Sequence, residues 1–326
     1  MTFDFKEIAF NLSAVDWRSV SLLEGAHLDA DRVYLEEMMR CALFFSGRSG
    51  VVDLGESDLI PGQSSSQYVN VRLKRCFAIT PQGYLICWDG DRQPGDGVTG
   101  SVDGSRVGET APIYLCIDAD RDSAYATPPQ EIRNECSFIR RHFRLASETG
   151  EGELDALKIG QFKRSPDTNR LELDTAFIPE CLRLDSHWLL KKRVGEIQQQ
   201  ARICLLNLQT QMKDNKFHME SMAASLGAAS ALVDWAVSPY VYLERMLAVM
   251  RTHFVLQYRI PDPGVKANVY GALDRALKYI EPNLQANVLD WAVTLNLIEE
   301  TFKRLAGAFT GQTDGPKIRI PDLPNR

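Results

Sequence analysis

This sequence predicts an α+β protein of two domains, a β-sandwich-like N-terminal half followed by an antiparallel α-helical bundle. Two observations carry the prediction. Up to about Phe177, apolar residues alternate in short runs separated by Gly, Pro and Asp clusters, the period-two mark of strands. From Leu189 to Phe309 they recur every three or four residues, with only brief breaks. The period changes within 171–190, LELDTAFIPECLRLDSHWLL, which sets expected boundaries at 1–184 and 185–310, with 311–326 as a Pro/Gly-rich extended tail. In a chain of 326 residues, both parts are long enough to bury a core.

In the first half, 29–45 has Val33, Leu35, Met38, Met39, Ala42 and Leu43 near helical spacing and is closed by Gly47, so it reads as one helix. Residues 64–80 set Val69, Val71 and Leu73 against Arg72, Lys74 and Arg75 and read as one strand with a wet face. Pro81-Gln82-Gly83 predicts a tight turn and 84–88 the returning strand of a hairpin. The Gly- and Asp-rich stretch 89–110 reads as a loop, 112–118 as a buried strand, and 131–145 and 154–162 as further strands. A turn at 164–170 leads to a last alternating run, 171–177, making about seven to nine strands with one helix.

Five helices are expected after the change of period. The first spans 189–213 and the second, rich in Ala and Ser, spans 219–237. Ser238 is the expected N-cap of a third, with Pro239 at its first position, reaching about Tyr258. Pro261-Asp262-Pro263-Gly264 breaks the chain before a fourth at 265–280; Pro282 is expected to interrupt again before a fifth at 284–309.

Composition narrows the function. The N-terminus lacks a basic region followed by an apolar stretch, and no run approaches the ~20 apolar residues of a membrane span, so direct membrane insertion is not expected and residence is read as cytoplasmic. Residues 1–184 carry 20 basic against 29 acidic side chains, which argues against nucleic acid as a partner. The seven cysteines are scattered without a CxxC pair and read as reduced and structural. Asp89, Asp91 and Asp96 cluster in the Gly-rich loop but break the calcium-loop spacing. The five histidines are far apart, and no nucleophile elbow, P-loop or dinucleotide fingerprint occurs. No catalytic, metal or cofactor-binding residue is therefore assigned, and the chain is read as non-enzymatic.

Four segments carry a resemblance. Trp17, Gly25, His27, Tyr34 and Leu35 precede and enter the first helix; the Pro81-Gln82-Gly83 hairpin is followed by Pro112-Ile113-Tyr114-Leu115; the change of period contains Phe177-Ile178-Pro179-Glu180-Cys181-Leu182; and Ser238-Pro239-Tyr240-Val241-Tyr242-Leu243 opens a helix. In this order they resemble the TssK family, the baseplate adaptors of type VI secretion machines. One departure is Gly25-Ala26-His27-Leu28-Asp29, where the family carries a Pro-x-His-Phe-Gln string after its glycine. The resemblance implies that 1–184 is a shoulder attaching to the baseplate wedge and 185–310 a neck that trimerises. The family's C-terminal head has no expected counterpart here, so envelope docking would run through the tail or a membrane-anchoring partner.

Candidate contact residues follow. Phe3, Phe5, Ile8, Phe10 and Trp17 put much apolar surface at a chain end, and with His27 they are expected to dock the wedge. Leu205, Leu208, Leu243, Met246 and Met250, apolar on more than one helix face, are expected at the oligomer interface. An alternative is a trimeric receptor-binding or adhesin protein whose Tyr68, Tyr84 and Trp88 form a platform for surface glycans.

Overall fold

The computed structural model describes residues 25–64, 68–90, 98–103, 108–118, 143–150, 153–213, 220–231, 233–260, 262–286 and 288–310. The chain forms two compact units, 1–188 and 189–326. It is α+β, with the strands in the first unit and a run of helices in the second.

Among the described residues of the first unit, helix α1 (Gly25–Phe45) is followed by ten strands: β1 (Gly50–Asp53), β2 (Leu59–Ser64), β3 (Tyr68–Leu73), β4 (Arg75–Ile79), β5 (Leu85–Asp89), β6 (Val98–Asp103), β7 (Thr110–Asp118), β8 (Phe143–Ala146), β9 (Glu153–Arg164) and β10 (Leu171–Leu173). They make three antiparallel sheets ordered β1-β4-β5, β2-β3-β6 and β10-β9-β7-β8.

The expected single strand 64–80 is two strands in two sheets. Val69, Val71 and Leu73 are buried in β3, but in β4 the buried positions are Cys76 and Ala78, so the inward phase shifts by one residue at Lys74. A one-residue shift turns every following side chain to the other face, and the strand must change sheets to keep its apolar side covered. Lys74 makes the transition: its N–H donates to the Asp58 carbonyl at 2.7 Å and its carbonyl accepts from Gly90 at 2.7 Å.

The expected loop 89–110 contains a strand. In β6, Val98 and Val102 are buried while β6 pairs with β3 along its length. Gly100 sits where a Cβ would lie 2.2 Å from the Leu145 carbonyl oxygen, so the missing side chain lets β8 cross this strand closely. The expected last strand 171–177 is strand only to Leu173; Asp174 then folds back, its carboxylate accepting from the Ala176 N–H at 3.0 Å.

The β4–β5 hairpin forms as expected, with Gly83 at φ +86°. Thr80 closes the turn, its hydroxyl accepting from the Tyr84 N–H at 3.0 Å, and the Gln82 N–H donates to Asp155 of β9 at 2.7 Å. Burial holds the Asp155 carboxyl above its usual range despite these bonds.

The second unit has α2 (beginning at Trp188 and ending at Lys213), α3 (Glu220–Ser230), α4 (Pro239–Leu256), α5 (Pro263–Gln285) and α6 (Trp291–Thr310), with a 3-10 turn at Gln257–Arg259. Helix α3 ends seven residues before the expected 237, where Asp234 starts a turn by accepting from the Ala236 N–H. Ser238 stands at the N-cap of α4 but makes no side-chain capping bond; Pro239 supplies the start. Asp262 caps α5 outright, accepting from Gly264 at 2.7 Å and Val265 at 2.9 Å.

Pro282 does not interrupt the fourth helix, which runs on to Gln285. It lies in the last turn, where its carbonyl still accepts from the Ala286 N–H at 3.0 Å, so only one upstream bond is lost. The Ser225–His253, Phe254–Tyr270 and Arg275–Glu300 pairs have the spacing of antiparallel neighbours joined by short loops. Arg193 and Asn207 of α2 reach Glu299 (3.1 Å) and the Ala306 carbonyl (3.0 Å), so α2 and α6 run in the same sense. Phe302 and Phe309 on α6 are fully buried, each worth about 3 to 5 kcal/mol against alanine.

Candidate functional site

Phe3, Phe5, Ile8, Phe10 and Trp17 lie outside the described residues. His27 is half-buried near the start of α1. Periodicity suggested that Leu35, Met38 and Met39 would pack inward, but they do not. The inward side carries Glu37 and Arg40, buried and paired at 2.6 Å, with the Arg40 guanidinium 4.8 Å above the Tyr84 ring. Gly83 lets the hairpin turn press on the helix: a Cβ there would lie 2.4 Å from the Arg40 carbonyl oxygen. Leu28, Leu35, Met38, Met39 and Phe45 are left exposed on one flank about 100° wide, an apolar stripe directed away from the chain's own core.

The segment at the change of period extends the first sheet. The Val51 N–H donates to the Glu180 carbonyl at 2.8 Å, Leu182 donates back to Val51 at 2.9 Å, and Leu54 donates to Ser186 at 2.9 Å. Parallel bridges Val51–Cys181 and Leu54–His187 result, covering the outer edge of β1. Gly50, at φ +135°, makes room for this approach, since a Cβ would meet the Glu180 carbonyl at 2.8 Å. Ile178 and Cys181 are buried. Phe177 and Leu182 are only half-buried, and the Phe177 ring carries the Lys158 ammonium at 4.4 Å.

Burial pushes the thiols of Cys76 and Cys116 up to about 12 and raises those of Cys181 and Cys204 further. Thiols held protonated in this way are poor nucleophiles and metal ligands. Among the described residues, no group of three or more His, Cys, Asp or Glu could hold a metal ion, and no helix is long and apolar enough to cross a membrane. Asp91 and Asp96 of the candidate calcium loop lie outside the described residues. The glycan platform does not form: Tyr84 and Trp88 are buried, with the Trp88 indole donating to the Leu73 carbonyl at 3.2 Å, and only Tyr68 is exposed.

In the second unit, Leu208, Leu243, Met246 and Met250 are buried within the isolated chain and Leu205 is half-buried, so their apolar surface is largely covered before any partner arrives. The exposed face of α2 uses neighbours instead. Gly195, Gln199, Arg202 and Leu206 line a shallow groove with Ile203, and their 4-3-4 spacing is that of a coiled-coil seam. Hydrophobic periodicity passes over this face, because Gln199 and Arg202 are polar.

The unit also buries His253 completely. The Ser225 hydroxyl donates to the Met222 carbonyl at 3.0 Å and lies 2.8 Å from His253 Nε2. With the hydroxyl proton so used, Nε2–H is the donor to Ser225, and Nδ1 is left buried without a partner. Burial pulls this imidazole down to about 4. A neutral ring with no access to solvent is a packing element, not a general base.

No protein-family profile and no curated protein matches the chain. A sheet-bearing unit followed by a unit of long helices is, however, the architecture of a baseplate subunit already known in three dimensions. The chain has the fold of TssK. It aligns over 92% of its length with all of a chain in the type VI secretion TssK–TssF–TssG baseplate subcomplex, at TM-score 0.60 and 13% identity. It matches the type VI baseplate complex with a TM-score of 0.59 at 15% identity, covering 91% of this chain and 100% of that one. In the match to the crystal structure of TssK, the TM-score is 0.54 at 19% identity, and 77% of this chain aligns with 64% of that chain, just under two thirds of its length.

Proposed function

We propose that this protein is a structural, non-enzymatic baseplate adaptor of a type VI-like contractile injection machine. The observation that carries the reading is the fold likeness over 92% of the chain to a subunit seen in a baseplate subcomplex with TssF and TssG. By that likeness the first unit joins a baseplate wedge and the second trimerises, the assembly working on the cytoplasmic side and handing on to a membrane-anchoring partner.

The exposed surfaces support this division. The apolar stripe of α1 directly follows residues 1–24 in sequence, so the two together offer a wedge-docking surface in the acidic half of the chain. The α2 face through Gln199, Arg202, Ile203 and Leu206 is suited to meet its copies around a threefold axis, a role that passes to it from the buried Leu208, Leu243, Met246 and Met250.

Co-purification with the products of neighbouring genes tests the reading. The intact chain is expected to elute as a homotrimer carrying TssF- and TssG-like proteins. Leu206→Asp is expected to reduce the mass seen by light scattering to one third. Deleting residues 1–20 is expected to leave a folded trimer without wedge proteins. A monomeric intact chain at micromolar concentration, or full wedge binding by the deletion, overturns the corresponding half of the proposal.

A further inference from the structure

The first unit holds a cleft of about 90 Å³. Its buried lining is apolar, from Leu54, Leu59 and Ile159. Two half-buried aromatic rings, Phe177 and Trp188, also line it, with the carboxylates of Glu56 and Asp174. His187 lines it too, almost wholly buried, and its Nδ1 has no hydrogen-bond partner.

The carboxylates of Glu56 and Asp174 are acceptors only, and Thr175 adds a hydroxyl that can donate or accept. Glu56 makes no hydrogen bond among the described residues. Asp174 accepts one bond on each oxygen, from the Ala176 N–H at 3.0 Å and from Gln161 Nε2 at 3.2 Å, and each oxygen keeps a free lone pair. Among the described residues, no lysine or arginine lines the cleft. The Lys158 ammonium bonds Gln161 at 2.9 Å and stands over the Phe177 ring at 4.4 Å.

We propose that this cleft receives the guanidinium of an arginine side chain presented by a partner protein. Carboxylates beside aromatic faces favour a flat, weakly hydrated cation that can fork to a carboxylate and stack on a ring at once, which an ammonium cannot do. The volume is enough for one side-chain head. A free amino acid would bring its own carboxylate toward Glu56 and Asp174, so the ligand that fits is an arginine within a chain, carrying no anion. The assignment does not depend on the baseplate reading, because any partner that presents an exposed arginine satisfies it.

The test uses the full chain labelled with 5-fluorotryptophan and titrated with N-acetyl-arginine amide, followed by fluorine NMR. Of the five tryptophan positions, the one lost in Trp188→Phe is expected to shift saturably, with a Kd on the order of millimolar, as suits a lone side chain. N-acetyl-norleucine amide is expected to produce no shift, and the amide of Nα-acetyl-lysine is expected to bind several-fold more weakly. Glu56→Gln with Asp174→Asn is expected to weaken arginine amide at least tenfold while the other resonances stay in place; should that pair disturb folding, Glu56→Gln alone, on an exposed side chain, carries the same expectation in smaller degree. No saturable shift, an equal response to norleucine or lysine amide, or unchanged affinity in the acidic variants overturns the proposal.

Discussion

Gly83→Ala is expected to destabilise the first unit by roughly 3 kcal/mol or more, far beyond an ordinary surface change. Two penalties coincide there. The residue holds φ +86°, where an L side chain is strained, and its Cβ would lie 2.4 Å from the Arg40 carbonyl oxygen and 2.9 Å from the Phe44 backbone nitrogen. Backbone cannot swing aside as a long side chain can, so α1 or the hairpin turn has to move. Moving either strains the Arg40–Tyr84 stacking and the Glu37–Arg40 pair. Gly47→Ala is the control: φ is +62° but nothing lies within 4 Å of the added carbon, so only conformational strain of about 1 kcal/mol is expected. Urea unfolding of both variants measures the difference. Equal losses would mean that the turn does not bear on α1.

Much of this architecture is legible in the sequence because periodicity reports burial directly. The change from period two to period 3.6 marks where strands stop and helices begin, and the β4–β5 hairpin is announced by Pro81-Gln82-Gly83 between alternating runs. What escapes is set by neighbours far away in sequence. The break at Lys74 leaves only a one-residue slip between Leu73 and Cys76, visible once burial is known. Strand β6 lies in a Gly- and Asp-rich stretch because Gly100 must pass under Leu145, so the composition that suggested a loop reflects a close crossing. On α1, Leu35, Met38 and Met39 have core-like spacing yet face outward, since Glu37 and Arg40 form a buried pair that no pattern of hydrophobicity foresees. The α2 face was hidden for the opposite reason: Gln199 and Arg202 are polar, and only the exposure of Ile203 and Leu206 beside them marks it out. The cleft drew Asp174, Phe177, His187 and Trp188 from the change of period, but Glu56 and Ile159 join them only through the fold.

Mild acid is expected to destabilise the protein through the buried His187 and His253, without any carboxylate needing to titrate first. Burial lowers both His187 and His253 from the usual 6.5 to about 4. A folded-state value below the unfolded one means that the unfolded chain takes up the proton first. Stability is therefore complete above about pH 6.5, declines as pH falls from there to about 4, and is flat in this respect below. The full difference corresponds to about 3 kcal/mol per histidine, and by pH 5 about 2 kcal/mol of it is lost at each. The two units should not respond alike. In the first, Asp155 works in the other direction: burial holds its carboxyl above the usual range, so the folded state gains relative stability as pH falls from that raised value toward the usual one. Among the described residues of the second unit, His253 bonds Ser225 beside the Met222 turn. Urea midpoints at pH 7.5 and pH 5.0 are expected to fall for the wild type and to fall less for His253→Gln, whose amide can still bond Ser225 yet carries no proton equilibrium. If His253→Gln keeps the whole acid sensitivity, the buried imidazole of α4 is not its source.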